Sequence, residues 1–143
     1  MKIYFACSIR GEQGGKEDKE MMVKIMKDLG HNVLSEQFAH FDVAHNQMGE
    51  MSPEEIYTQD IGWVDESDII VADVSKISTG MGYEIGWELA KGGRVIALCK
   101  ADKIESISNM LRGCKEKNFK LIPWQTEEDV QKILEEELGK SRS

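Results

Sequence analysis

Several features that would assign a chain to a particular class are absent from these 143 residues. No apolar run approaches the roughly 20 residues that cross a bilayer, and the apolar stretch before Arg10 is too short for a secretory signal. The formal net charge is −8, whereas proteins that bind nucleic-acid polymers usually present a basic face. We therefore expect a cytoplasmic protein that binds neither a membrane nor a nucleic-acid polymer.

Cysteine and histidine are also scarce, with three residues of each. The cysteines are widely separated, at Cys7, Cys99 and Cys114, which favours unpaired thiols in a reducing compartment. None of the histidines has the spacing of a metal-ligand motif, so we expect no metal site.

Short apolar runs alternate with segments of helical period along the chain. The predicted strands cover residues 2–6, 32–36, 68–74, 94–99 and 119–124. The predicted helices cover residues 16–29, 53–65, 80–91, 104–112 and the segment from 126 onward. This alternation predicts a flavodoxin-like, doubly wound α/β domain whose five-stranded parallel sheet has the order 2-1-3-4-5. We expect a single domain over residues 1–138 and a frayed tail over residues 139–143.

Ligands of such sheets bind beyond the carboxyl ends of the strands, at the switch point between strands one and three. Two loops meet there, CSIRGEQGG after the first strand and SKISTGMGYE after the third. We therefore expect residues that carry chemistry in these two loops.

Glu84 lies in the stretch STGMGYEIG, within the first turn of the predicted third helix. A carboxylate in that position can simply complement the helix dipole. Its neighbours favour a site instead, because Gly80 and Gly82 permit a ligand to approach the backbone and Tyr4 or Tyr83 could hold the carboxylate. The glycine spacing is not that of a dinucleotide fingerprint.

Asp60 falls within the apolar arc that Ile56, Tyr57, Ile61 and Val64 form on the predicted second helix. A carboxylate turned toward a core is costly unless it is hydrogen-bonded or used. It is either a structural acid satisfied by neighbouring donors or a second acid beside Glu84. Two carboxylates in unlike environments are what glycosidic bond cleavage requires.

Four polar residues could gather a phosphate at this edge of the sheet. They are Ser8, Arg10, Ser78 and Ser108. A guanidinium grips phosphate oxygens with its fork of donors, and backbone N–H groups of glycine turns add more. For Arg10 alone, a plain surface position is an equally good interpretation.

Five separated motifs together resemble a known family. They are MKIYFACSIRG, SEQ, TQDIGWVDESDIIVADVS, STGMGYEIGWELA and SNMLRG. In order and spacing they are similar to the 2′-deoxynucleoside 5′-phosphate N-hydrolases of the nucleoside 2-deoxyribosyltransferase superfamily, over roughly residues 1–125. The resemblance implies a flavodoxin-like homodimer that cleaves the N-glycosidic bond of deoxynucleoside monophosphates without a metal or an organic cofactor.

The resemblance also implies roles for individual residues. Glu84 would be the nucleophile, Tyr4 would hold its carboxylate, and Asp60 would be the second catalytic acid. The phosphate and sugar pocket would be lined by Ser8, Ile9, Arg10, Gly11, Ser78 and Gly80. Ser108 would reach the phosphate in the site of the neighbouring subunit, so the two subunits would share their active sites.

One motif departs from the family. After the second strand the family commonly has a histidine in the pattern T-E-H, whereas this chain has Ser35-Glu36-Gln37. The segment that follows, 38–51, also differs. The departure concerns the preference for a base and leaves the Glu84 and Asp60 pair untouched.

Other functions remain open from the sequence. A nucleoside 2-deoxyribosyltransferase would pass the sugar to a second base, and a ribonucleoside monophosphate N-glycosidase would accept a 2′-hydroxyl. A flavodoxin-like signalling or flavin-binding module is disfavoured, because the paired acids of a receiver and a hydroxyl-rich phosphate loop are both absent.

Overall fold

The computed structural model describes residues 1–8, 15–36 and 49–141. Within those ranges it contains a five-stranded sheet in the order β2-β1-β3-β4-β5, and every pair of neighbouring strands is parallel. The strands are Lys2–Ala6 (β1), Asn32–Val33 (β2), Ile69–Asp73 (β3), Arg94–Lys100 (β4) and Phe119–Trp124 (β5). The predicted fold class and strand order are confirmed.

Helices cover both faces of this sheet. In the described ranges the α-helices include Lys16–Asp28 (α1), Pro53–Glu66 (α2), Thr79–Ala90 (α3), Asn109–Arg112 (α4) and Glu127–Leu138 (α5). Helix α1 packs against α5, and α2 packs against α3. None of the helices in the described part of the chain is both long and apolar enough to cross a membrane.

The core lies between these layers, and its centre is strand β3. All residues of β3 are buried, as is the interior of β4. Strands buried on both faces are typical of parallel sheets. The register pairs Tyr4 with Ile70 and Ala6 with Ala72, so β1 and β3 end side by side at the switch point.

Strand β2 is shorter than the predicted strand over 32–36. It ends at Val33 because the buried side chain of Ser35 takes over the pairing with β1. The Ser35 hydroxyl donates to the carbonyl of Phe5 and accepts from its N–H, at 2.9 Å each. A side chain thus replaces the backbone ladder at the carboxyl end of β1.

The prediction of one continuous helix over residues 104–112 is wrong. A 3₁₀ helix covers Ala101–Ser106, and α4 begins only after Ser108. Ile107 between them is extended and buried, and the Ser108 hydroxyl caps α4. Burying Ile107 therefore interrupts the helical pattern.

The last described residues are attached to the rest of the domain as far as Ser141. The Ser141 N–H donates to the Leu29 carbonyl at 2.9 Å, and His31 Nε2 lies 2.7 Å from the Gly139 carbonyl. These bonds attach the end of the described chain to the end of α1.

All three cysteines are free thiols, as the sequence predicts. Cys7 and Cys99 are buried. Burial raises the pKa of the Cys7 thiol to about 12, so Cys7 is protonated at neutral pH. Burial therefore disfavours the thiolate form of Cys7, which is the reactive one.

Candidate active site

A hydrogen bond joins a tyrosine of strand β1 to a glutamate of helix α3. Tyr4 is only 1% exposed, and its hydroxyl donates to Glu84 Oε2 at 2.5 Å. A bond this short is typical of a hydroxyl donating to a carboxylate. Because Tyr4 is locked in the central sheet, it fixes the position of the half-buried Glu84 carboxylate.

The start of α3 determines where Glu84 lies. The helix begins at Thr79, and the Ser78 hydroxyl caps it by accepting the N–H of Met81 at 3.2 Å. Glu84 therefore lies in the second turn of α3, whereas the sequence predicts the first turn. The dipole effect fades beyond the first turn, so complementing the dipole does not account for Glu84.

Asp60 lies on helix α2, which begins with a capping box of Ser52 and Glu55. The amide of Gln59 donates to Asp60 Oδ1 at 3.4 Å, and Asp60 is half-buried. The buried arc of α2 is narrower than predicted, because Val64 is fully buried whereas Tyr57 is 48% exposed.

Both carboxyl groups have a raised pKa. Burial raises the pKa of Glu84 to about 7; the hydrogen bond from Tyr4 opposes this rise and the charge of Asp60 adds to it. Burial also raises the pKa of Asp60 to about 6. Burial is the largest cause of a raised pKa at Tyr4, and the negative charges of Glu84 and Asp60 add to it. The Tyr4 hydroxyl therefore keeps its proton and stays a donor. Acids that titrate near neutrality beside each other can divide the roles of nucleophile and proton carrier.

Two of the serines predicted to bind phosphate face one cavity. Ser78 and Ser108 both line a space of about 420 Å³ beside the start of α3. Each hydroxyl also caps a helix, since Ser108 accepts the N–H of Met110 at 3.1 Å. Gly80 is exposed, and its Cβ position is open. Glu84 and Asp60 do not line this cavity.

The remaining predicted site residues divide into two groups. Ser8 is buried just beyond the end of β1, at 6% exposure. Four further residues lie outside the described part of the chain, so their roles stay predictions. They are Ile9, Arg10, Gly11 and Gln37, the last of which stands where the family commonly has a histidine. Within the described ranges, no group of three or more potential ligand side chains could hold a metal ion.

Sequence reasoning missed two buried charged residues near Ser8. They are Lys19 of α1 and Asp73 at the end of β3, each 7% exposed. Asp73 was detectable, because it is a lone acid that ends an otherwise apolar run. Lys19 was not, because a lysine near the start of a helix carries no signal of burial.

Comparisons with known proteins identify the family. The model of the nucleoside 2-deoxyribosyltransferase family matches residues 3–122. A protein of Thermofilum pendens, named as a candidate 2′-deoxynucleoside 5′-phosphate N-hydrolase, is 35% identical over 94% of this chain and 91% of its own. The 5-hydroxymethyl-dUMP N-hydrolase of Danio rerio is 33% identical over 95% of this chain and 94% of its own.

The solved structure of a CMP N-glycosidase from Clostridium botulinum has the same fold. It matches with a TM-score of 0.70 at 21% identity, over 96% of this chain and 100% of that chain. The paired acids at the edge of a flavodoxin-like sheet thus occur in a chain whose relatives are named for cleaving N-glycosyl bonds. The chain belongs to the nucleoside 2-deoxyribosyltransferase family, which confirms the resemblance of its motifs.

Proposed function

We propose that this protein hydrolyses the N-glycosidic bond of 2′-deoxynucleoside 5′-monophosphates to a free base and 2-deoxyribose 5-phosphate. The observation that carries the proposal is the 2.5 Å hydrogen bond that holds Glu84 on Tyr4, with Asp60 as its electrostatic neighbour. The names of the relatives as N-hydrolases of nucleotides support the same reaction.

In the first step, the ionised Glu84 carboxylate attacks the anomeric carbon of the sugar. The bond from that carbon to the base nitrogen breaks, and its electron pair leaves with the base, which takes a proton from protonated Asp60. Tyr4 keeps the attacking oxygen in line by donating to the carboxylate. A deoxyribose favours this route, because no 2-hydroxyl withdraws electrons from the developing cation.

In the second step, water attacks the anomeric carbon of the glycosyl ester and Glu84 leaves as a carboxylate. Asp60, now ionised, accepts the proton of that water. The cycle returns both acids to their starting protonation states. It needs two carboxyl groups of opposite protonation, and pKa values of about 6 for Asp60 and about 7 for Glu84 leave one proton on the pair near neutral pH. The reactive form, with that proton on Asp60, is the minor one of the two.

The phosphate of the substrate binds away from the reacting bond and holds the sugar for attack. We assign it to Ser8, Ile9, Arg10, Gly11, Ser78 and Gly80, with Ser108 from a second subunit. A serine hydroxyl that caps a helix still has its own proton to donate to a phosphate oxygen. Binding energy from this remote group can be used to orient the reacting centre.

A homodimer that shares its active sites is part of the proposal. Ile77 and Met110 line the cavity beside α3 and are each 82% exposed. Apolar side chains that are exposed together mark an interaction surface, and Ser108 lies on that same surface. A second copy covering it would bring Ser108 toward the neighbouring site. Light scattering at micromolar concentration should give the mass of two chains.

The function is tested by separating the products of purified protein incubated with dGMP, dAMP, dCMP, dTMP and 5-hydroxymethyl-dUMP. GMP, CMP and deoxyguanosine serve as comparison substrates, and Glu84→Ala serves as the inactive control. We expect a free base from at least one deoxynucleotide and none from the variant.

The other outcomes separate the alternative functions. Release of base from a deoxynucleoside only when an acceptor base is present would assign a deoxyribosyltransferase. Release from ribonucleotides at a similar rate would assign a ribonucleoside monophosphate N-glycosidase. Undiminished release by Glu84→Ala would exclude Glu84 as the nucleophile.

A further inference from the structure

A lysine and an aspartate are buried together beneath the carboxyl ends of β1 and β3. Lys19 and Asp73 are each 7% exposed. The Lys19 ammonium donates to the carbonyl oxygen of Ser8 at 2.5 Å. The side chain of a helix residue thus holds the backbone at the point where the chain leaves β1.

Burying an ammonium group costs several kcal/mol unless it is paired and hydrogen-bonded. Asp73 supplies the opposite charge: burial raises its pKa, and the N–H of Ser75, at 3.2 Å, and the charge of Lys19 oppose that rise. The charge of Asp73 therefore offsets part of the cost of burying the Lys19 ammonium group beside Ser8.

This pair lies on the face of the sheet opposite the catalytic acids. Side chains alternate between the faces of a strand, and Tyr4 faces Glu84 on α3. Ile70 is paired with Tyr4, so Asp73, three residues beyond it, faces the other layer, where α1 carries Lys19. The charge of Lys19 also reaches Cys7 on that face.

We propose that Lys19, balanced by Asp73, is a positioning residue that fixes the Ser8 backbone in the geometry in which Ser8 binds the sugar phosphate. A hydrogen bond on the carbonyl sets the peptide plane that carries Ser8. The inference rests on the proposed function, since that function assigns Ser8 to the substrate pocket. The site would then be supported from both faces of the sheet, by Tyr4 on one and Lys19 on the other.

Three variants separate positioning from stability. Lys19→Met removes the charge at similar volume, Lys19→Arg keeps it, and the double variant Lys19→Met/Asp73→Asn removes both charges. The double variant leaves no unpaired buried charge, so it should recover most of the stability that Lys19→Met loses. The measurements are KM and kcat for the preferred nucleotide, the calorimetric Kd of 2-deoxyribose 5-phosphate, and urea unfolding.

We expect KM and Kd to rise roughly tenfold in Lys19→Met and in the double variant, as for the loss of a hydrogen bond to a charged group. We expect kcat to change less than about threefold, and Lys19→Arg to restore most of the affinity. A double variant that is stable and has the KM and Kd of the wild type would overturn the inference. That result would make the pair purely structural.

A readout that does not depend on activity keeps the two proposals apart. The carbonyl carbon resonance of Ser8 should shift in the double variant and much less in Lys19→Arg. An unshifted resonance overturns the positioning role, whatever the enzymatic activity. A wild-type protein that cleaves no nucleotide overturns the proposed function, and the Ser8 resonance and the Kd of the sugar phosphate then still decide the role of Lys19.

Discussion

Glu84 holds its proton more tightly in the folded protein than in the unfolded chain, because burial raises its pKa from 4.5 to about 7. The folded protein therefore binds more protons than the unfolded chain between these two pH values. Stability falls as the pH rises through that window. Asp60, whose pKa burial raises from 3.8 to about 6, acts in the same direction.

Replacing Glu84 by glutamine should therefore stabilise the protein at alkaline pH. At pH 8 we expect a gain of about 2 kcal/mol in the free energy of unfolding, and at pH 4 almost none. Urea unfolding at both pH values measures it, with Glu116→Gln on the exposed surface as the matched control. An equal gain in the free energy of unfolding at both pH values would show that burial does not disfavour the ionised form of Glu84.

The same ionisation should govern the rate, since the proposed mechanism begins with attack by the Glu84 carboxylate. Because the mechanism also needs a protonated Asp60, we expect a bell-shaped pH profile of kcat/KM whose apparent pKa values, about 6 and about 7, belong to the coupled pair of acids. Tyr4→Phe removes the hydrogen bond that favours the carboxylate, so the apparent pKa should rise and kcat should fall at least about tenfold. A pH–rate profile of Tyr4→Phe that matches the wild type would exclude Tyr4 from holding the nucleophile.

At the scale of the element, the two serine caps of α2 and α3 differ in what else they touch. Ser52 and Ser78 each accept an N–H of the helix that follows, from Glu55 and Met81. Ser78 also lines the cavity beside α3 and is one of the residues proposed to bind the phosphate, whereas neither applies to Ser52. The pair therefore allows a matched comparison between a serine that only caps a helix and one that is also proposed to bind substrate.

Ser52→Ala and Ser78→Ala should each lower the free energy of unfolding by about 1 kcal/mol, the usual cost of a lost cap. Only Ser78→Ala should also raise KM, since its hydroxyl proton is available to a phosphate oxygen. Urea unfolding and steady-state kinetics on both variants provide the test. An unchanged KM in Ser78→Ala would remove Ser78 from the phosphate site.

Elements were predictable where one pattern dominated the local sequence. The apolar runs alone predicted strands β1 and β5 with the bounds that the structure gives them. The sequence misled where a single side chain decided the outcome. Ser35 ends β2 by bonding Phe5, and burial of Ile107 divides a helix.

The candidate site shows the same division between local and tertiary information. The motifs indicated Tyr4, Asp60 and Glu84, but only the packing of α3 on the sheet brings Tyr4 and Glu84 to 2.5 Å. The contact of Lys19 with Ser8 joins a helix to a strand end, and no local pattern encodes it. The contact of Lys19 with Ser8 is therefore the part of the site that the sequence did not predict, whereas the resemblance already implied the contact of Tyr4 with Glu84.

At the scale of the whole molecule, each active site of the proposed dimer would contain residues of both chains. Glu84 would come from one subunit and Ser108 from the other, so variants of the two residues can complement each other. Ser108→Ala alone should lower kcat/KM roughly tenfold, because a hydrogen bond to a charged group is lost. Glu84→Ala should be inactive, and it still carries an intact Ser108.

Adding inactive Glu84→Ala protein to a fixed amount of Ser108→Ala protein should therefore raise the activity at low substrate concentration. Exchange of subunits places Ser108 of the inactive chain beside Glu84 of the other, and this restores one complete site in each mixed dimer. With the inactive chain in excess, kcat/KM per Ser108→Ala chain should approach the wild-type value. The double variant Glu84→Ala/Ser108→Ala, added in the same way, should produce no rise. If Ser108 serves its own chain, neither addition can help, because every remaining Glu84 would lie beside an alanine.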